Sequence, residues 1–220
     1  MTIAAAPTTA RRGGLLRMLE VVAQPAAAGA AFTLLALGVV TWLPALAALA
    51  FTLRAWRSDG DTHSFTGVFR AFPRYWRPLW RHSALTAAAA LVLLANCAFL
   101  TGRSSPYAFV LLAAQAGLGA TLFIHCTALA AHAGLAPEDD VRTWHRRALA
   151  LAFASPARGT ALLGAAVSAT VLTLPVPLGP LLFGPSVPVL LALHFAAQQL
   201  AAPPLAAPQS SVVRPEGISS

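Results

Sequence analysis

Four arginines at steps of four, three and four, Arg70, Arg74, Arg77 and Arg81, are the strongest chemical signal in this chain. At 100° per residue they fall on one narrow stripe of a helix, and Phe65, Phe69, Phe72, Trp76 and Trp80 fall on a second stripe about 130° away. The pattern predicts a helix lying in a membrane interface, with rings in the acyl boundary and guanidinium groups among lipid phosphates. Pro73 and Pro78 each lack an amide proton and crowd the carbonyl four residues back. Two short helical pieces are therefore expected, the second feeding into the next apolar span. The segment reads either as a juxtamembrane anchor on anionic head groups or as a docking surface for a partner protein. Nucleic acid is not the expected ligand, because these basic residues adjoin long apolar runs, where membrane topology already requires them.

A second set of polar groups lies inside the apolar runs. Gln115, His125, His194 and Gln198 are the candidates to line a solute pathway. His132 follows His125 by seven residues on nearly the same helix face, with Cys126 adjacent. His132 is expected at the interface and no third ligand accompanies the pair, so hydrogen bonding between helices is the expected role and no metal site is assigned. All acidic residues fall outside the apolar runs, which counts against the carboxylate relay of a proton-coupled pump. The basic residues are all arginine, so neither a Schiff-base lysine nor a P-loop lysine exists. Cys97 and Cys126 sit in apolar surroundings without a Cys-x-x-Cys pair and are expected to behave as small hydrophobes. No Gly-rich phosphate loop, nucleophile elbow or zinc-protease helix occurs. The chain is not expected to be an enzyme, and no catalytic residue or cofactor is assigned.

The elements that must position these groups are membrane helices. Of the 220 residues, 57% are hydrophobic and 10% charged, with a mean hydropathy of +0.68. Soluble domains carry about 25% charged residues, so composition places the chain in the membrane class. The expected architecture is an all-α polytopic helix bundle of five to six membrane segments, near 26–43, 44–57, 83–101, 107–131, 159–174 and 187–202. Interfacial amphipathic helices are expected near 63–81 and 137–154. The second of these should open at Pro137-Glu138-Asp139-Asp140, with Val141, Trp144, Ala148 and Leu151 as its apolar stripe. An N-terminal cytoplasmic arm (1–20) and a flexible C-terminal tail (203–220) complete the domain plan.

One stretch has two readings. No charge occurs between Glu20 and Arg54, and Pro44 stands near the middle of that run. It forms either one long tilted span kinked at Pro44 or a hairpin turning at Trp42-Leu43-Pro44. With a hairpin every arginine except Arg103 faces the cytoplasm, and both termini lie there. The positive-inside rule therefore favours the hairpin in a bacterial cytoplasmic membrane. Small residues four apart, Ala113 with Gly117 and Gly164 with Ser168, permit close helix packing.

The order of features resembles the YesL-like family of small bacterial membrane proteins. The resemblance rests on the Leu-Pro element at Leu43-Pro44-Ala45, on Arg54-Ala55-Trp56-Arg57, and on Phe69-Arg70-Ala71-Phe72 within the arginine and aromatic segment. Arg147-Ala148-Leu149-Ala150-Leu151 followed by Ser155-Pro156 extends it. The chain departs from the pattern in Trp42 before the Leu-Pro element, Ala45 after it, and the prolines of the arginine segment. The resemblance implies no catalytic residues. It implies association with carbohydrate uptake systems of the ABC type, which makes permease subunits an expected partner beside anionic lipid and a second copy of the chain. The expected role is an accessory subunit; a self-contained small-solute transporter and a lipid-interacting scaffold are the alternatives.

Overall fold

The uncharged run after Glu20 does not form one long span. A computed structural model describes residues 8–201, with side-chain surroundings from Leu19 onward. Residues 1–7 of the expected arm, and the expected tail at 203–220 with Arg214, lie outside the described residues. Helix α1 (Thr8–Ala36) ends before Gly38, a 3-10 turn covers Val39–Thr41, and α2 (Trp42–Asp59) follows at once. The Thr41 hydroxyl closes the corner by donating to the carbonyls of Leu35, in the last turn of α1, and Gly38, which also accept the N–H groups of Gly38 and Thr41. The break therefore lies at Leu37 to Thr41, three to seven residues before Pro44, not at Trp42-Leu43-Pro44. Pro44 occupies the first turn of α2, where its missing N–H has no intrahelical partner to lose. The neighbouring N–H of Leu43 donates to Ser83 Oγ at 3.2 Å.

The remaining elements are α3 (Ser64–Thr101), α4 (Pro106–Leu135), α5 (Val141–Phe153), α6 (Pro156–Thr173), α7 (Gly179–Phe183) and α8 (Ser186–Ala201). No strand occurs among the described residues. Five segments are long and apolar enough to cross a membrane; α5 and α6, bent 91° at Ala154-Ser155, would make a sixth if they form one broken span. The bend follows from Pro156, which pushes Ser155 into an extended conformation and stops α5. The protein is an all-α membrane helix bundle.

Helix α2 is its axis. Leu43 to Ala50 are buried without interruption, and so are Thr52 and Leu53, the mark of a helix surrounded on all sides. Around it stand α1, α3, α4 and α8. Among the contacts close enough to need glycine, two join distant parts of the chain. A Cβ on Gly134 of α4 would lie 2.8 Å from the Phe51 nitrogen of α2, and one on Gly29 of α1 would lie 1.8 Å from the Leu182 carbonyl of α7.

Two further expectations are corrected. Helix α3 runs unbroken for 38 residues through Pro73 and Pro78, about 57 Å at ~1.5 Å per residue, instead of forming two short pieces. Helix α5 opens at Asp140, three residues later than Pro137, because the Asp140 side chain accepts the Thr143 N–H as N-cap at 3.0 Å. Trp144, Ala148 and Leu151 form its buried stripe, and Val141 is half-buried.

Candidate functional site

The first half of α3 has three faces, not two. Arg70, Arg77 and Arg81 are exposed. The aromatic stripe is also outward: Phe65, Phe69 and Trp80 are exposed, while Phe72 and Trp76 are half-buried. The third face, about 135° from the arginines and about a quarter of a turn from the aromatics, carries Val68, Ala71, Tyr75 and Leu79, all buried. This face packs into the protein core against α2 and α4. Residues 65–81 are thus one side of the bundle rather than a helix resting separately on the bilayer. Ordinary residues, Val, Ala, Tyr and Leu, hold the segment, and beside so many arginines and rings their periodicity is easily missed.

Ring pairs line the aromatic stripe, Phe65 with Phe69 at 5.4 Å and Phe72 with Trp76 at 5.8 Å between centroids. Arg81 lies over the Trp80 ring at 5.5 Å. Arg74 differs from its three companions. It pairs with Glu138 in the α4–α5 turn and stands 6.0 Å over the Phe51 ring, so it ties α3 to its neighbours. The turn conformation of Pro137 to Asp139 keeps Glu138 out of α5 and leaves it to pair with Arg74. Asp139 likewise pairs with Arg147. Two acids outside the spans are held below the usual carboxylate range: Asp61 by the backbone N–H and then the side chain of His63, and Asp140 by hydrogen bonds from Thr143.

Three side chains from three helices converge on the C-terminus of α4. Arg54 of α2 donates to the carbonyls of Gly134 and Leu135 at 3.2 and 2.9 Å. Tyr75 of α3 donates to the carbonyl of Ala133 at 3.2 Å, and Trp144 Nε1 of α5 donates to that of Ala136 at 2.8 Å. A helix end leaves its last carbonyls without intrahelical donors, and its partial negative charge favours a cation such as Arg54. The arrangement locks the Arg54, Arg74 and Glu138 side of the molecule into one unit.

The four candidate pathway residues do not share a cavity. His125 lines a cavity of about 590 Å³ between α3, α4 and α5. His194 lines a separate one of about 250 Å³ beside Arg54 and Arg57, and bonds Gln198 on its own helix at 3.0 Å. Gln115 is ten residues, about 15 Å of helix rise, from His125. His132, in the last turn of α4, is fully buried in the core. The partners of His125 are instead His145 on α5, with ring centroids 5.5 Å apart, and beyond it His82 on α3, 4.6 Å from His145. Neither His82 nor His145 stands out in the sequence, because only the tertiary fold brings α3 and α5 to α4. No group of three or more His, Cys, Asp or Glu side chains among the described residues has the geometry to hold a metal ion. The small-residue faces do not serve packing within the chain: Gly117 and Gly164 have nothing within 4 Å of where a Cβ would stand.

A family model described as "Protein of unknown function, DUF624" matches residues 30–99, from the end of α1 through α2 to the last turn of α3. No curated protein and no solved structure matches. The matched region contains the corner at Gly38, the buried axis helix and all three faces of the arginine-bearing segment.

Proposed function

We propose that the protein is a non-enzymatic accessory subunit of a membrane complex, with the arginine and aromatic faces of α3 as its docking surface on the cytoplasmic side. The observation that carries this reading is the burial of Val68, Ala71, Tyr75 and Leu79 on the opposite face. A helix anchored through its core side presents Arg70, Arg77 and Arg81 in a fixed array without spending side-chain freedom on finding the orientation. The resemblance to the YesL-like family makes permease subunits of a bacterial carbohydrate ABC transporter the first partner to test. The excess of arginine around the α2–α3 and α4–α5 connections supports a bacterial cytoplasmic membrane with these loops inside. The transporter reading draws less support, since Gln115, His125, His194 and Gln198 stand at separate places.

The test is co-purification of the tagged protein at native expression in mild detergent, comparing the wild type with Arg70→Gln/Arg77→Gln/Arg81→Gln. Arg74 is left unchanged because its pairing with Glu138 is internal. The wild type is expected to recover permease subunits in a stable ratio. The triple variant should lose them by about tenfold or more while its melting temperature stays within a few degrees. Recovery of the chain alone from the wild type sinks the docking reading. Binding to anionic vesicles that falls with each arginine removed, in the absence of any protein partner, would establish the lipid-scaffold alternative, which the outward rings of Phe65, Phe69 and Trp80 support.

A further inference from the structure

The cavity beside His194 lies between the C-terminal ends of α2 and α4 and the second half of α8. Its polar lining is Arg54, Arg57, Ser58 and His194, and its apolar lining is Leu135, Leu193 and Ala197. Arg54 and Arg57, three residues apart, share one face of α2. Arg54 uses Nη1 on the carbonyls of Gly134 and Leu135 and keeps the donors on Nη2 and Nε. Arg57 is exposed and pairs with no acid among the described residues. At His194 the amide nitrogen of Gln198 lies 3.0 Å from Nε2; an amide nitrogen only donates, so Nε2 accepts and Nδ1 carries the proton. Ser58 gives its hydroxyl hydrogen to the Arg54 carbonyl at 3.1 Å. No carboxylate among the described residues lines the cavity: Asp59, next in sequence, stays out of it, and Glu138 and Asp139 pair with Arg74 and Arg147.

The ends of α2 and α4 contribute about half a negative charge each, against two guanidinium groups, so the cavity keeps about one positive charge. Its available polar groups, on Arg54, Arg57 and His194, are all donors, and the ligand they suit is an anion rich in acceptors. They arrive from two helices, α2 and α8. A phosphate is tetrahedral and offers oxygens in several directions, so it can bridge both helices, and a guanidinium fork matches a pair of its oxygens. Leu135, Leu193 and Ala197 suit the carbon side of an ester better than bare inorganic phosphate. A volume of about 250 Å³ is below the roughly 300–1,000 Å³ of sites that enclose a whole small molecule, and fits a head group whose remainder lies outside. Arg57 is in the last turn of α2 and Leu135 is the last residue of α4, so the cavity is at the level where two apolar helices end. That is the depth of lipid phosphates, and basic pockets between helices on the cytoplasmic side are suited to acidic head groups.

We infer that this cavity binds a phosphate ester, the phosphate held by Arg54, Arg57 and His194 and the ester side against Leu135, Leu193 and Ala197. None of these residues is on α3, so the site stands or falls independently of the docking surface.

The test uses the full chain in mild detergent, with bound ligands counted by native mass spectrometry. The Arg70→Gln/Arg77→Gln/Arg81→Gln background keeps α3 from offering competing phosphate contacts. Phosphatidylglycerol is expected to fill one saturable site, and phosphatidylcholine with the same chains to bind about tenfold less well, because its ammonium opposes Arg57. Arg57→Gln and His194→Leu should each weaken phosphatidylglycerol by about tenfold while the melting temperature stays within a few degrees. Arg54 is left unchanged because it holds the end of α4. Glycerol 3-phosphate separates the two sources of the ester. No displacement of the lipid at about a hundredfold excess supports a bilayer phospholipid, and displacement supports a soluble phosphate ester. Equal binding of phosphatidylcholine and phosphatidylglycerol overturns the basic site, as do two folded variants that bind like the background protein. Lipid that never saturates, together with no bound glycerol 3-phosphate, overturns it as well.

Discussion

Tyr75 donates its hydroxyl hydrogen to the Ala133 carbonyl from a position without solvent exposure, and that carbonyl needs the bond. Its regular intrahelical donor would be the N–H of residue 137, which is proline. Tyr75→Phe keeps the ring between Phe51 and Trp144, at 6.3 Å from each, and removes only the donor. Leaving a buried carbonyl unsatisfied costs about 1–3 kcal/mol, so Tyr75→Phe should lower stability by that amount in a reversible denaturation assay in detergent. A loss near zero would mean that water reaches Ala133. Gly134, one residue on, offers an independent check. With the Phe51 nitrogen and Ala50 less than 3 Å from any added Cβ, Gly134→Ala should separate α4 from α2 and destabilise by about 1–3 kcal/mol or more. Neither residue carries a chemical signal of its own in the sequence. Tyr75 sits between arginines and Gly134 in an alanine-rich run, and their roles come from what lies across the helix interface.

At the scale of elements, α3 and α5 show how packing overrides and refines local preference. Each interior proline costs a helix about 3 kcal/mol, yet α3 continues through both. Burying Val68 and Leu79 contributes about 1.5–3 kcal/mol each, and Tyr75 adds a larger apolar area with a hydrogen bond. Together these offset the prolines, whose side of the helix is partly open so that the freed carbonyls can be hydrated. Helix α5 depends on its cap. Hydrogen bonds from Thr143 hold Asp140 below its ordinary value of 3.8, which makes the folded state bind protons less readily than the unfolded one. The contribution of the cap is then fully present above the unfolded value and is lost as pH falls through the lower folded value. Helicity at residues 141–145, followed by amide NMR in micelles, should fall in that acid window for the wild type. Asp140→Asn, a cap that does not titrate, should show no such step; an identical acid profile for both proteins would remove Asp140 as the cause.

At the scale of the whole molecule, α3 connects two loops about 57 Å apart, Asp61 to His63 at one end and Gly102 to Ser105 at the other. That length exceeds a bilayer's hydrocarbon core of about 30 Å and leaves the arginine-bearing half outside it. In a background lacking Cys97 and Cys126, Thr62→Cys and Ser104→Cys should react with a membrane-impermeant maleimide from opposite sides of right-side-out vesicles. Labelling is expected at Ser104→Cys before lysis and at Thr62→Cys only after it. Labelling of both from one side would require α3 to lie along the membrane rather than through it.

Composition and hydropathy alone determined that this is a membrane helix bundle, because the apolar solvent imposes long uncharged helices whatever their neighbours are. The arginine and aromatic stripes of residues 65–81 and the apolar stripe of α5 were equally legible, since each depends on spacing within one helix. Only the tertiary structure decided that Gly38 and Thr41, not Pro44, make the first corner, and that a third face of α3 is the buried one. It also decided that Arg54, Tyr75 and Trp144 close the end of α4, and that His82, His125 and His145 meet beside one cavity. The physical reason is common to all of these: they join residues on different helices, and no periodicity along a single helix encodes which helix will lie across from it.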